Sequence, residues 1–454
     1  MKRHLKTQIF FVLLILNFYE IFAQTNTFQD KFSRLSDCPI IPKTNANFKE
    51  YYEITVRQSL DHSNPKQKFN QRIFIGIQDF NAPTIIVTDG YAIDYASKSD
   101  YSNELAKELE ANIVVVEHRF FGNSIPDSLN WDLLTMKQAA DDYHFIKSML
   151  DKIIIGKWLA MGISKGGQAA LSYKMFYPKD VSASIAYGAA IKSKQTVFTD
   201  TILSNLSQTT CGKKINELQN YLFKNKNNLL PYFDEFTSQK EYDFAPLDNE
   251  TVLDFLLLEL PFSFWQNANK CEDIPDTTFT PENLMSYIIK VVPPRFFSNK
   301  NKKQLEAAFY MFYHELGYYE YNINPFIKYL KQKNYSNKYF APPLVTIQYD
   351  NSFHKMVNTF MNSNSSDCVY FIYGQNEPWA LQTTRNKNAF VVPAGSHKSR
   401  IDDFSAGQQE DIDSKIRNCI KYENKLFVKN AKNIRILFSE PGENSATSCF
   451  SLCD

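Results

Sequence analysis

Three of the fourteen glycines in this 454-residue chain fall within the six residues Gly162-Ile163-Ser164-Lys165-Gly166-Gly167. A random window of that size would hold about 0.2 at this glycine content. The segment joins an apolar run at 158–161 to a helical pattern at 166–176. A serine in G-x-S-x-G at a strand-to-helix turn needs small neighbours, because the strained backbone leaves no room for side chains on either side. The alternative, a glycine-rich turn without chemistry, loses weight once a strand and a helix flank the motif. Ser164 is therefore the candidate nucleophile, and the amide of Lys165, at the start of the helix, is the candidate donor to a developing oxyanion.

The rest of the chain supplies a scaffold for such a turn. Runs at 84–88 and 113–116 are short, β-branched and without alternation, the pattern of parallel strands covered on both faces, and 101–109 between them reads as a helix. Strands are further expected at 51–56, 72–77, 158–161 and 181–187, with a helix at 137–150. From about 199 to 330 strand signals nearly vanish, and amphipathic stretches rich in Phe, Tyr, Lys and Asn are broken at Pro231, Pro246, Pro261 and Pro293-Pro294. Strand-like runs return at 369–373 and 389–392, so the helical block reads as an insertion. The expected architecture is α/β: a largely parallel sheet built from 24–198 and 341–430, a helical cap at 199–340 and a polar tail at 431–454.

Composition narrows the function. Fifty Lys and Arg against 49 Asp and Glu leave no basic surplus for nucleic acid, and 44% hydrophobic residues suit a folded globule. Lys2, Arg3 and Lys6 precede an apolar run at 9–16, and Ile21-Phe22-Ala23 ends in a small residue, the pattern of a cleaved secretory signal at 1–23. The run is far shorter than the roughly 20 residues of a spanning helix, so export without membrane retention is expected, into the medium or the periplasm according to the host. Seven cysteines in an exported chain suggest disulfides. Cys211 with Cys271, and Cys449 with Cys453, are plausible pairs, although connectivity is not readable from spacing. The lone C-x3-C lacks a second half and His314-Glu315 lacks the second histidine of a zincin, so no metal site is expected. Sequons stand at Asn205, Asn249, Asn334 and Asn364.

A serine nucleophile needs a base. On a sheet of this type the order is Ser, acid, His, the last two on loops after the final strands. Only His314, His354 and His397 lie downstream. His314 falls in a helical stretch and His354 precedes the penultimate strand, whereas His397 follows the last strand and the turn Pro393-Ala394-Gly395. His397 is assigned as general base. Glu377 is the sole carboxylate in Gly374-Gln375-Asn376-Glu377-Pro378-Trp379 and is assigned as its partner. A second oxyanion donor is expected from the Gly90-Tyr91 loop.

These residues carry a family resemblance. Segments 83–91, Glu117-His118-Arg119-Phe120-Phe121-Gly122-Asn123-Ser124, 162–167, Phe176-Tyr177-Pro178, Glu259-Leu260-Pro261-Phe262-Ser263-Phe264-Trp265-Gln266, Glu315-Leu316-Gly317-Tyr318-Tyr319 and 373–379 resemble the S37 serine peptidases, secreted PS-10 tripeptidyl aminopeptidases. The likeness runs from about 52 to 401. A fainter one to the S28 prolyl peptidases rests on the Glu-His-Arg segment; the Ser-Lys-Gly-Gly elbow and Phe-Ser-Phe-Trp-Gln motif favour S37.

The resemblance implies an α/β-hydrolase fold with a helical cap, peptide substrates, no cofactor, and release of short peptides from a free N-terminus. Glu377 departs from it, since the family pattern has Asp before Pro-Trp; a loop shift must absorb the extra methylene. Glu117-His118-Arg119 ends a buried-looking strand. It reads either as an internal ion-pair network or, for Glu117, as a seat for a substrate ammonium. Phe264 and Trp265 are candidates for an apolar wall of the cleft, or for core. The elbow alone does not separate a peptidase from an esterase or a silent hydrolase-like binding protein. Residue preference around the cut bond and oligomeric state are not legible.

Overall fold

The computed structural model describes residues 27–191, 205–267, 269–378 and 388–434. The expected export segment and the pair Cys449 and Cys453 lie outside the described residues. Among the described residues nine strands form one sheet: β1 (Ile40–Lys43), β2 (Glu50–Ser59), β3 (Lys68–Ile77), β4 (Thr84–Thr88), β5 (Asn112–Val116), β6 (Trp158–Ile163), β7 (Ala183–Tyr187), β8 (Val369–Gly374) and β9 (Ala389–Val392). Their order is β1-β2-β3-β5-β4-β6-β7-β8-β9. β1, β2 and β3 are antiparallel to their neighbours, and every pair from β5 to β9 is parallel. This is the α/β-hydrolase arrangement.

The two-residue period of a strand divides the core. Ile86, Val114, Val116 and Ala160 face one side, together with α1 (Phe28–Ser33) and, later in the chain, most of the helices. Ile85, Val87, Ile113, Val115 and Leu159 face the other, against the short α2 (Glu104–Glu108). Burial on both faces is why these strands lack alternation in the sequence. Next come α3 (Met136–Leu150), begun by Thr135 accepting the Gln138 amide, and α4 (Lys165–Phe176), the helix after Ser164.

Between β7 and β8 the chain builds α5 (Thr210–Lys224), α6 (Lys226–Gln239), α7 (Asn249–Gln266), α8 (Pro281–Val291) and α9 (Asn299–Met311), a helical layer over the first core. Its centre is α7, buried on every side from Thr251 to Leu260, as expected of a helix apolar all round. α10 (Ser352–Met361) follows, and α11 (Ala406–Ile434) closes the second face through Ile412, Ile416 and Cys419.

Sequence reading missed β1, α1, α10 and α11. β1 is only four residues with Pro42 inside it, tolerated because the strand lies at the sheet edge. The expected bridge between Cys211 and Cys271 is not formed: both are free thiols, side by side, and burial with the neighbouring thiol pushes Cys211 up to about 12. Among the described residues one disulfide forms, joining Cys368, before β8, to Cys419 on α11, a pairing that no sequence spacing announces. Among the described residues no helix is long and apolar enough to cross a membrane, and no group of three His, Cys, Asp or Glu side chains is placed to hold a metal ion.

Candidate active site

β6 delivers Ser164 at its C-terminal end with φ 58° and ψ −122°, in the left-handed region that residues with side chains avoid. The strained turn is held by the Ser164 amide donating to Tyr187 O at 2.7 Å. It is also made possible by glycine: a Cβ at Gly162 would lie 2.0 Å from Gly166 O, and one at Gly166 2.7 Å from Thr88 O. Lys165 then opens α4, so its amide is among the first N–H groups, which find no carbonyl within the helix and sit at the positive end of its dipole.

The loops after β8 and β9 bring Glu377 and His397 together. Nδ1 of His397 is 3.1 Å from Glu377 Oε1, and the other carboxylate oxygen accepts the Gly374 amide at 3.0 Å. The Glu377 side chain thus reaches the imidazole. Gly188, directly after β7, has φ +53°, and a Cβ there would lie 2.6 Å from His397 Nδ1 and 3.1 Å from Glu377 Oε1. Since Tyr187, its chain neighbour, holds the Ser164 amide, the serine and the acid–imidazole pair share the C-terminal edge of adjacent parallel strands. The His397 amide donates to Gln266 O at 3.2 Å, tying this loop to the end of α7. His314 bonds the Gln348 carbonyl instead, and His354 is buried in α10.

Over Ser164 the cap encloses a cavity of about 500 Å³ whose lining includes Lys165, Tyr91, Glu259, Phe262 and Tyr319. That volume suits a short peptide, within the roughly 300–1,000 Å³ of small-ligand sites. Glu259, Phe262, Ser263 and Gln266 of α7 line it, at the i, i+3, i+4, i+7 spacing of one helix face. Tyr319 and Tyr321 hydroxyls donate to Glu259 Oε2 at 2.6 and 2.9 Å, and Ser263 Oγ to Oε1 at 3.0 Å. Burial pushes this carboxyl up to about 7 against the opposing effect of the three hydroxyl donors. Phe262 stacks on Tyr319 with ring centroids 4.0 Å apart.

Three expectations are corrected. Phe264 and Trp265 turn to the apolar core, because they fall off the helix face that lines the cavity. Glu117 is fully buried and saturated: Oε1 accepts from Arg72 Nη2 at 2.5 Å and the Ile93 amide, Oε2 from the Asn123 amide and Ser124 Oγ. It belongs to an internal network with no seat for a substrate. Arg119 likewise spends its guanidinium on Asp142 at 2.7 and 2.8 Å. The Tyr91 amide donates to Asp89 Oδ1 at 2.8 Å, so it is already spent. Tyr91 lines the cavity and the Gly90 carbonyl accepts from Lys165 Nζ, while the Lys165 amide stands at the head of α4 beside Ser164.

A family model described as PS-10 peptidase S37 matches residues 27–412. The chain belongs to this family. Like its S37 relatives it is a serine-type peptidase. It is 25% identical over 375 residues to the prolyl tri/tetrapeptidyl aminopeptidase of Streptomyces mobaraensis, a match that covers 79% of this chain and 78% of that one. It is 30% identical over 161 residues to the human lysosomal Pro-X carboxypeptidase, covering 32% of each.

Within this S37 chain, sequence reasoning passed over Gly188 and the roles of Glu259, Tyr319 and Tyr321 at the cavity. One signal was available: Glu259 is an acid in an otherwise apolar helical run, 255–262, where a charge is retained only with partners or a purpose. Gly188 gave no signal, because its need arises from a ring that comes from residue 397.

Proposed function

We propose that this protein is an exported serine exopeptidase that releases short peptides, tripeptides first, from free N-termini. Ser164 Oγ attacks the carbonyl of the third residue while His397 takes its proton. Glu377 keeps the ring oriented and stabilises the imidazolium. The Lys165 amide, at the head of α4, stabilises the oxyanion. His397 then protonates the departing amine, and water, activated by the same ring, hydrolyses the acyl-enzyme.

The observation that carries this reading is the Glu377–His397 pair set beside the strained Ser164 elbow beneath a roofed cavity of peptide size. The Streptomyces relative's name supports the tripeptide unit and a free N-terminus. Export rests on the pattern at 1–23, and the Cys368–Cys419 disulfide suits an oxidising compartment. The test is hydrolysis of a tripeptide amide with a chromogenic leaving group, with its N-terminus free or acetylated. Cleavage of the free form alone, abolished by Ser164→Ala, is expected. Equal cleavage of both forms would mean an endopeptidase or a broad hydrolase, and an active Ser164→Ala variant would remove the nucleophile assignment.

A further inference from the structure

α7 carries two buried acids that are treated differently. Asp254 meets Lys226 Nζ at 2.7 Å and also accepts the Lys331 amide and the Tyr335 hydroxyl, so its charge is neutralised. Glu259 receives only the hydroxyls of Tyr319, Tyr321 and Ser263, and among the described residues no Lys, Arg or His is paired with it. A carboxylate has about four acceptor positions; three are filled. Glu259 lines the cavity that opens on Ser164, whereas Asp254 does not. A carboxylate removed from water without a counter-charge is costly unless a cation arrives. Here the approach for one is the substrate cavity itself.

We propose that Glu259 is the anchor for the substrate's N-terminal ammonium, the group that makes the enzyme require a free amine. The ligand class is a primary aliphatic ammonium at the head of a short peptide, lying along the Phe262–Tyr319 wall with its third carbonyl at Ser164. The inference rests on the exopeptidase reading above and assigns the role first sought in Glu117 to a residue on the cap. Tyr319, Tyr321 and Ser263 pre-orient the carboxylate, so a bound ammonium completes a shell already built. Burial that holds the carboxyl near 7 fits a group whose ionised form is favoured by the incoming positive charge.

The test compares kcat/KM for one chromogenic tripeptide amide, free and acetylated, in wild type, Glu259→Gln and Glu259→Asp. In wild type a preference for the free form of about 100-fold or more is expected, since an acetylated substrate leaves the Glu259 carboxylate without a counter-charge in a dry site. In Glu259→Gln the preference falls below about 5-fold, mostly through KM. In Glu259→Asp, which keeps the charge but retracts it, part of the preference returns. Thermal melts establish that each variant is folded, and the Asp variant carries the test if the Gln variant is not. A folded Glu259→Gln that keeps the wild-type preference overturns the anchor and leaves the exopeptidase reading standing. Absence of any preference in wild type overturns both.

Discussion

Lys165 Nζ donates to the Gly90 carbonyl at 2.8 Å, joining the residue after Ser164 to the loop after β4. The side chain is 1% exposed, and its ammonium lies over the rings of Tyr91 and Phe121. Burial pulls this lysine down to about 7, with Asp89 and Glu315 opposing the shift. The bond is a brace: it holds the wall of the cavity against the elbow.

Lys165→Met keeps most of the volume and removes the brace. A loss of about 10- to 100-fold in kcat, with KM changed less, is expected from a loosened reaction geometry. The sign of the pH effect on stability follows from a folded pKa below the unfolded one. Between pH 7 and 10.5 the unfolded chain holds the extra proton, so this group's contribution to stability rises with pH across that window. Urea unfolding of wild type and variant at pH 7 and 9.5 should show the rise in wild type only. Equal pH dependence would mean that the lysine does not titrate there.

Glu315 gives the opposite sign. Burial raises its carboxyl to about 8 while Oε1 accepts the Met136 amide. A carboxyl raised on folding contributes most below its unfolded pKa near 4.5 and loses that contribution as pH rises through 8. Glu315→Gln can still accept the Met136 amide but cannot ionise. Its stability relative to wild type should therefore increase steadily from pH 5 to pH 9, read as the difference in denaturation midpoints.

The carboxylate proposed as the partner of His397 can be shortened or neutralised. Glu377→Asp withdraws the carboxylate by one methylene from His397, now 3.1 Å away, and about a 10- to 100-fold loss in kcat is expected. Glu377→Gln favours the wrong imidazole tautomer and should cost on the order of 10⁴-fold. An Asp variant as active as wild type would show that the loop is free to follow the shorter side chain.

Gly188→Ala tests a contact with no hydrogen bond in it. The new methyl would fall 2.6 Å from His397 Nδ1 at a backbone φ of +53°. The left-handed backbone should cost about 1–2 kcal/mol of stability, and displacement of the ring about 100-fold or more in kcat/KM. Unchanged kinetics would place His397 elsewhere in the working enzyme.

Reduction of the Cys368–Cys419 bond opens a loop with a sequence separation of 51 residues. A loss of about 2–4 kcal/mol is expected, measured as the shift in the urea midpoint with and without reductant, and matched by Cys419→Ser.

Much of this molecule is written locally. β4 and β9 appear in the structure with the bounds their composition gives, because a short β-branched run buried on both faces has few other fates. That Ser164, Glu377 and His397 follow strands ending at one edge was legible from a strand followed by a loop, since the parallel sheet sends the ends of β6, β8 and β9 the same way. What the sequence could not decide is which buried charges are already paired. Glu117 and Glu259 are both acids in apolar runs; Arg72, Ser124 and two amides, brought in by folding, saturate the first, whereas the second meets only hydroxyls at the cavity. Cavity-facing Phe262 and core-facing Phe264 differ by two positions on one helix, and only the packing of α7 fixes its rotation. Composition and spacing determine the elements and their order, because those depend on near neighbours along the chain; pairing, burial and access depend on residues from separate elements brought together, and tertiary structure alone sets them.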